Sequence, residues 1–296
     1  MIKNFFDKNN IEYKERISLK NYNTYKIDTL CSYLVFPKNE NELIAILKEL
    51  KNKKIKYLIL GSGSNVIFSM PNYDGIVIKL DKLCKVEYNG NTVTVGAGYP
   101  LIKIALDTIE KGLSGLEFAS GIPGTVGAST AMNAGAYKSD MASVVKNVKV
   151  LNDKLETIVL SNEELEYSYR DSFLKKHNNY IVLETTFELT SGDKELMKSQ
   201  VEERKQKRIA TQPLNMPNAG SVFRNPENMY AGELIEKSNL KGYSVGGAAV
   251  SEKHANFIVN KGNATGRDII ELINKIKNTV KENYDIELKL EQIIIE

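Results

Sequence analysis

Tryptophan is missing from the 296 residues, and cysteine and histidine nearly so, with two of each. Cys31 and Cys84 are too few for a disulfide framework and lack the C-x-x-C spacing of a zinc or redox centre, so both are expected as buried small hydrophobes. No His, Cys or carboxylate cluster has ligand spacing, which leaves no metal site to expect. Excess charge of one sign is lacking too: 40 basic and 37 acidic residues are spread along the chain for a net +3, so no segment reads as a nucleic-acid-binding arm. The longest apolar runs, such as Tyr57–Leu60 and Ile293–Ile295, are strand-sized, and Met1–Asn10 holds no apolar stretch of signal-peptide length. The expectation is a cytoplasmic protein with no membrane insertion and no obligate protein partner. Neither G-x-G-x-x-G between a strand and a helix nor G-x-x-x-x-G-K-[ST] occurs, which disfavours a Rossmann fold and a P-loop.

What is present suffices for two or three packed units, with 42% hydrophobic and 26% charged residues. Apolar runs at Ser32–Phe36, Ile55–Leu60 and Gly75–Leu80 enclose a helix carrying Leu43, Ile44, Ile46, Leu47 and Leu50. Asn39 is its expected N-cap and Glu42 the reciprocal partner. Two alternating runs, Lys85–Tyr88 and Thr92–Val95, meet through Asn89-Gly90 as a hairpin. A helix through Leu101–Ile109 follows, ended by Gly112, then strand signals at 144–151, 154–160 and 180–188. A charged helical stretch spans Lys194–Ala210. The last part reads as a helix at 229–237, a strand at 256–260, a long helix opened by Thr265 with Asp268, and a terminal strand Ile286–Ile295. These short mixed signals predict an α+β fold rather than a regular parallel one. The expected divisions are 1–80, 81–195, 196–284 and 285–296.

Two glycine-bearing segments could hold a ligand. Gly61-Ser62-Gly63-Ser64-Asn65 follows an apolar strand, so its backbone N–H groups can converge on a phosphate oxygen; an ordinary strand-ending loop fits this pentapeptide equally well. Ser120-Gly121-Ile122-Pro123-Gly124-Thr125-Val126-Gly127-Ala128 permits close backbone approach to a flat or extended ligand. A helix starting near Thr125 would aim its dipole at phosphate, the alternative being helix packing through small residues.

These two segments, about 60 residues apart in this order, resemble the FAD-binding part of the UDP-N-acetylenolpyruvoylglucosamine reductases of bacterial cell-wall synthesis. The resemblance runs from Asn23-Thr24 to Glu291, although relatives often have Gly-Gly-Gly-Ser-Asn at the first segment. It implies the two-subdomain FAD-binding fold of the vanillyl-alcohol-oxidase (PCMH) type with a C-terminal α+β substrate domain. It also implies an oxidoreductase that passes hydride from NADPH through FAD to UDP-N-acetylglucosamine enolpyruvate, giving UDP-N-acetylmuramate. Since neither histidine lies in a glycine segment, the FAD is expected to be noncovalent. The implied cofactor contacts are Gly61, Ser62, Gly63, Ser64, Asn65, Ser120, Gly121, Ile122, Gly124, Thr125, Gly127 and Arg224.

Three further matches carry the chemistry the family implies. Tyr169-Arg170-Asp171-Ser172 fits Y-R-x-S and makes Arg170 the partner of the substrate carboxylate. Ala219–Pro226 fits G-S-x-F-[KR]-N-P, which makes Ser221 the proton donor and Asn225 a substrate contact. Leu288–Glu291 fits the terminal L-x-x-E and places Glu291 with Arg170 in stabilising the enolate; strand alternation alone puts Glu287 on the same face and does not choose between them. His254 and Asn256, in His254-Ala255-Asn256-Phe257, are possible substrate contacts. The single helical passage from Glu188 to Gln212 resembles the shorter group of relatives, which lacks an insertion bearing a substrate-capping Tyr. A flavin oxidase of the same fold and a noncatalytic flavin carrier are the competing readings.

Overall fold

Local capping sets the helix starts in the computed structural model, which describes residues 2–296. The helices are α1 (Ile2–Lys8), α2 (Glu40–Asn52), α3 (Leu101–Glu110), α4 (Val126–Ala131), α5 (Phe173–Lys176), α6 (Lys194–Thr211), α7 (Ala231–Lys237) and α8 (Gly266–Tyr284). Asn39 caps α2 by accepting the Glu42 N–H at 2.9 Å. The Glu42 carboxylate reaches back one residue further than a capping box requires, to the Lys38 N–H. At α8 the box is complete: Thr265 accepts the Asp268 N–H, and the Asp268 carboxylate accepts the Thr265 N–H at 2.9 Å. Asp268 also takes the Gly247 N–H at 3.3 Å.

The chain divides into two compact units, one of residues 1–15, 33–61 and 75–205, the other of 16–32, 62–74 and 206–296. These differ from the consecutive divisions expected from sequence. The physical reason is where the apolar side chains go. Tyr25, Ile27 and Ile67 are buried with Ile235, Ile269 and Leu288 in the second unit's core, whereas Leu43, Leu47 and Ile78 share a core with Val148 and Phe187 in the first.

A five-stranded antiparallel sheet organises the first unit, in the order Thr157–Ser161, Val145–Leu151, Ile181–Glu188, Thr92–Gly96, Val86–Asn89. The hairpin expected at Asn89-Gly90 forms with Asn89 opposite Thr92, and Gly90 takes the φ of +57° that the turn needs. Glu12–Ser18, Leu30–Phe36, Asn72–Ile78 and Tyr57–Ile59 form a four-stranded sheet in that order, Tyr57–Ile59 running parallel to its neighbour. Among the described residues no helix is long and apolar enough to cross a membrane.

In the second unit Ser244–Val245, Ala248–Val250 and Ile258–Asn260 form an antiparallel sheet against which α8 packs. Of the α8 residues that helical spacing places on one face, Ile269, Ile273, Ile276 and Val280 are buried and Ile270 only partly so, while Leu272 is buried beside them. The terminal strand is shorter than expected. Only Ile293–Ile295 is a strand, pairing in parallel with Val66–Phe68, while residues 288–291 are tied one backbone contact at a time to the segment around Phe223. Cys31 is buried, and burial pushes its thiol pKa up to about 11. Cys84 is exposed, contrary to expectation, because it lies in the loop leading into the edge strand Val86–Asn89.

Candidate active site

In the first unit Gly61, the first residue of its glycine segment, meets the second segment. A Cβ on Gly61 would lie 2.9 Å from the Ala128 Cβ and 3.0 Å from the Thr125 Oγ1, so the approach requires glycine. The second segment differs from expectation at its helix. Although Thr125 is the N-cap, α4 has only six residues, and its Val126 and Gly127 N–H groups already bond the carbonyls of Tyr99 and Ala97 at 2.8 and 2.9 Å. Those two donors are spent on packing, so this short helix has fewer N–H groups to offer a phosphate than the sequence suggests. Ser120 closes a 3-10 turn, its hydroxyl donating to the Glu117 carbonyl at 2.8 Å.

Arg170 sits in the same unit, half-buried in a tight turn between the bridged residues Ser168 and Asp171, with φ at +56°. Such a φ is strained for a side chain of this kind. Several groups hold the turn. Asn133, 1% exposed, donates to the Ser168 carbonyl at 2.8 Å and to Asp140 at 3.1 Å, and Lys175 donates to the Arg170 carbonyl at 2.9 Å. Ser172 donates to the Ala131 carbonyl at 2.6 Å and caps α5. The guanidinium lies near the Tyr169 ring, 5.3 Å from its centroid, and donates one Nη2 bond to the Gly135 carbonyl. That contact orients the guanidinium, a planar fork whose geometry suits a carboxylate.

The second unit assembles the other candidates from distant parts of the chain. The Glu291 N–H bonds the Val222 carbonyl at 2.8 Å, and the Arg224 N–H bonds the Lys289 carbonyl at 2.9 Å. The Asn65 amide donates to the Glu291 carbonyl at 3.3 Å, while its own carbonyl accepts the Ile293 N–H at 2.9 Å. The Ser62–Asn65 stretch is therefore stitched directly to the segment carrying Glu291, and that segment to the one carrying Ser221. Gly63, at φ +66°, is pressed against the Tyr22–Asn23 backbone, and its carbonyl accepts the Thr24 N–H at 3.0 Å, which explains the Asn23-Thr24 pair. Gly220, just before Ser221, takes φ +73° with open space where a Cβ would stand, a side on which a ligand can approach.

Asn256 is the frame of the Ser221 segment. It is 4% exposed, donates through Nδ2 to the Phe223 carbonyl at 2.8 Å and accepts the Phe223 N–H at 3.0 Å, mimicking a strand partner. Gln292 adds a second brace, donating to the Ala219 carbonyl at 3.0 Å and accepting from Tyr25. Asn225 has its Oδ1 engaged by the Ala231 N–H at 3.1 Å. The His254 ring packs on Phe257 with centroids 4.8 Å apart, and its Nδ1 accepts the Asn256 N–H. Burial lowers the His254 pKa below its ordinary value, favouring the neutral ring. Glu287 is exposed and Glu291 half-buried. Asn133 and Gln292 escaped the sequence reading, because a lone amide side chain carries no spacing signal.

These features fit a flavin dinucleotide. The glycine segments contain no acidic side chain and offer hydroxyl, amide and backbone donors, suited to phosphate. Arg224 has a buried Nε with no hydrogen-bond partner, a donor that an acceptor on a ligand would satisfy.

Comparison with known proteins agrees. Residues 31–161 match the family model described as FAD binding domain. Residues 212–295 match that of the UDP-N-acetylenolpyruvoylglucosamine reductase C-terminal domain. The two together define a flavin-dependent oxidoreductase. The chain is similar to the UDP-N-acetylenolpyruvoylglucosamine reductase of Clostridium perfringens, with 42% identity covering 92% of this chain and 89% of the relative. Its likeness to that of Halalkalibacterium halodurans is 43% identity over 96% and 94%. The crystal structure of UDP-N-acetylenolpyruvylglucosamine reductase from Thermus caldophilus superposes with a TM-score of 0.81 at 31% identity, covering 97% of this chain and 99% of that one. The chain belongs to the UDP-N-acetylenolpyruvoylglucosamine reductase family.

Proposed function

We propose that the chain catalyses the NADPH-dependent, FAD-mediated reduction of UDP-N-acetylglucosamine enolpyruvate to UDP-N-acetylmuramate, a step of peptidoglycan precursor synthesis. Bound FAD supplies hydride chemistry, accepting from the nicotinamide and donating to the enolpyruvyl alkene. Residues 1–80 and 81–195 would supply most of its contacts, with Arg224 adding a donor from further along the chain.

The protein's own part is to manage charge and a proton. Arg170 holds the substrate carboxylate through its planar guanidinium fork and disperses the negative charge that grows as hydride arrives. Glu291 supports the same enolate. Ser221 delivers the proton to the remaining alkene carbon; a hydroxyl is a weak acid, but a carbanionic carbon is a strong base, and the bracing by Asn256 and Gln292 fixes the distance. Asn225 and His254 are assigned to substrate binding, Asn225 through its amide NH2, since its carbonyl oxygen is engaged.

The observation that supports this reading is the stitching of Asn65, Val222 and Glu291 within one unit, which links the Ser62–Asn65 loop to the segment carrying Ser221. Ser221→Ala tests it. Bleaching of the flavin by NADPH should proceed as in the parent protein, while turnover of the enolpyruvyl substrate falls by about 10²–10⁴-fold. Parent-level turnover in the variant would remove Ser221 from the mechanism.

A further inference from the structure

Lys79 is a buried cation that neither the substrate nor the proton step uses. Only 6% exposed, it donates through Nζ to the Gly61 carbonyl and pairs with Asp81 at 3.3 Å. All three residues belong to the first unit. Sinking an ammonium group for one backbone carbonyl is costly when a hydroxyl or amide would serve. Its position gives it a second task. In a trans peptide the carbonyl and the following N–H point in opposite directions. With the Gly61 carbonyl drawn to Lys79, the Ser62 N–H faces away from it. Gly63, at φ +66°, continues the turn, the backbone pattern in which successive N–H groups form an anion-binding concavity. In the second glycine segment the Val126 and Gly127 N–H groups are committed to the Tyr99 and Ala97 carbonyls, which shifts part of this work to the first.

We propose that Lys79 is a positioning residue for the FAD diphosphate, locking the Gly61–Ser62 peptide so that its N–H faces a phosphate oxygen and placing a positive charge behind the loop. The proposal rests on the flavin reading above. It explains why the loop needs glycine first: a side chain at position 61 would collide with Thr125 and Ala128 and push the carbonyl off the lysine. Asp81, on the solvent side with its side chain 48% exposed, balances the cation without covering Gly61.

The test is titration of FAD into flavin-free protein, followed by flavin fluorescence at low and high salt, with thermal unfolding of the same flavin-free samples. Lys79→Met keeps the apolar stem and removes the charge. It should weaken FAD binding by roughly tenfold to a hundredfold, the range for loss of one charge-assisted bond, and should flatten the salt dependence of binding while unfolding without flavin changes little. Asp81→Asn, which leaves the Gly61 contact intact, should bind FAD within about threefold of the parent. Lys79→Met with parent affinity, a loss that keeps the parent salt slope, or an equal loss in Asp81→Asn would each overturn the proposal. Parent protein that takes up no FAD would overturn the flavin reading itself, and this role with it.

Discussion

Asn256 offers a sharp test of how the proton donor is seated. Leucine is close to asparagine in size and cannot hydrogen-bond, so Asn256→Leu leaves the Phe223 N–H and carbonyl without the partners they now have at 3.0 and 2.8 Å. Phe223 is 1% exposed, so water cannot take over. Orphaning a buried backbone group costs about 1–3 kcal/mol, and two such groups give roughly 2–6 kcal/mol. Against a typical total of about 5–15 kcal/mol, that is a large share. The second unit should therefore unfold at lower urea concentration, measured by circular dichroism. Below that transition, turnover of the enolpyruvyl substrate should fall further than the rate of flavin bleaching by NADPH. A stability change under about 1 kcal/mol with unchanged turnover would refute the claim that this amide holds the Ser221 segment.

Other outcomes follow from single contacts. Gly63→Ala should abolish flavin retention or folding, since its φ of +66° and the adjacent Tyr22 carbonyl exclude a Cβ; soluble yellow protein would contradict this. Thr265→Ala should lower the stability of the second unit by about 1 kcal/mol by removing the α8 cap, read from the urea midpoint. His254 gives a pH signature. Its folded pKa lies below the unfolded value of 6.5, so the unfolded chain binds the extra proton first; this group's contribution is complete above about pH 6.5 and is lost as pH falls. His254→Gln should flatten the stability profile on that acid side, and an unchanged profile would count against the assignment. Arg170→Lys keeps the charge but loses the planar fork, and should lower kcat/KM for the enolpyruvyl substrate while leaving flavin bleaching intact; equal loss in both half-reactions would argue for a structural role.

Much of the fold was legible where a side chain's own spacing does the work. The Asn39 cap, the Thr265–Asp268 box, the Asn89-Gly90 hairpin and most of the apolar face of α8 are local and formed as read, although Glu42 bonds the Lys38 N–H rather than that of Asn39. What escaped the sequence depends on partners far along the chain. Nothing in residues 16–32 says that Tyr25 and Ile27 will join a core built mainly from residues 219–288. The terminal strand shortened because residues 288–291 trade backbone bonds with the Val222–Arg224 segment instead of forming a regular ladder. The α4 dipole reading is weakened for a similar reason, two of its donors being claimed by Ala97 and Tyr99. Lys79 had no motif around it, and only its burial against Gly61 gives it a role. Arg170, Ser221 and Glu291 were nameable beforehand because short patterns mark them; of the amides that brace them, Asn256 was named only as a possible substrate contact, and Asn133 and Gln292 not at all.

One protein passes hydride from NADPH to an enolpyruvyl ether through a bound flavin. The most direct measurement is the visible absorbance of the purified holoprotein under anaerobic conditions, as NADPH and then UDP-N-acetylglucosamine enolpyruvate are added. The oxidised flavin bands should bleach with NADPH and return with the enolpyruvyl substrate, with UDP-N-acetylmuramate formed in step. Bleached flavin that stays reduced on addition of that substrate, yet recovers at once in air with peroxide release, would contradict it and mark an oxidase on the same scaffold.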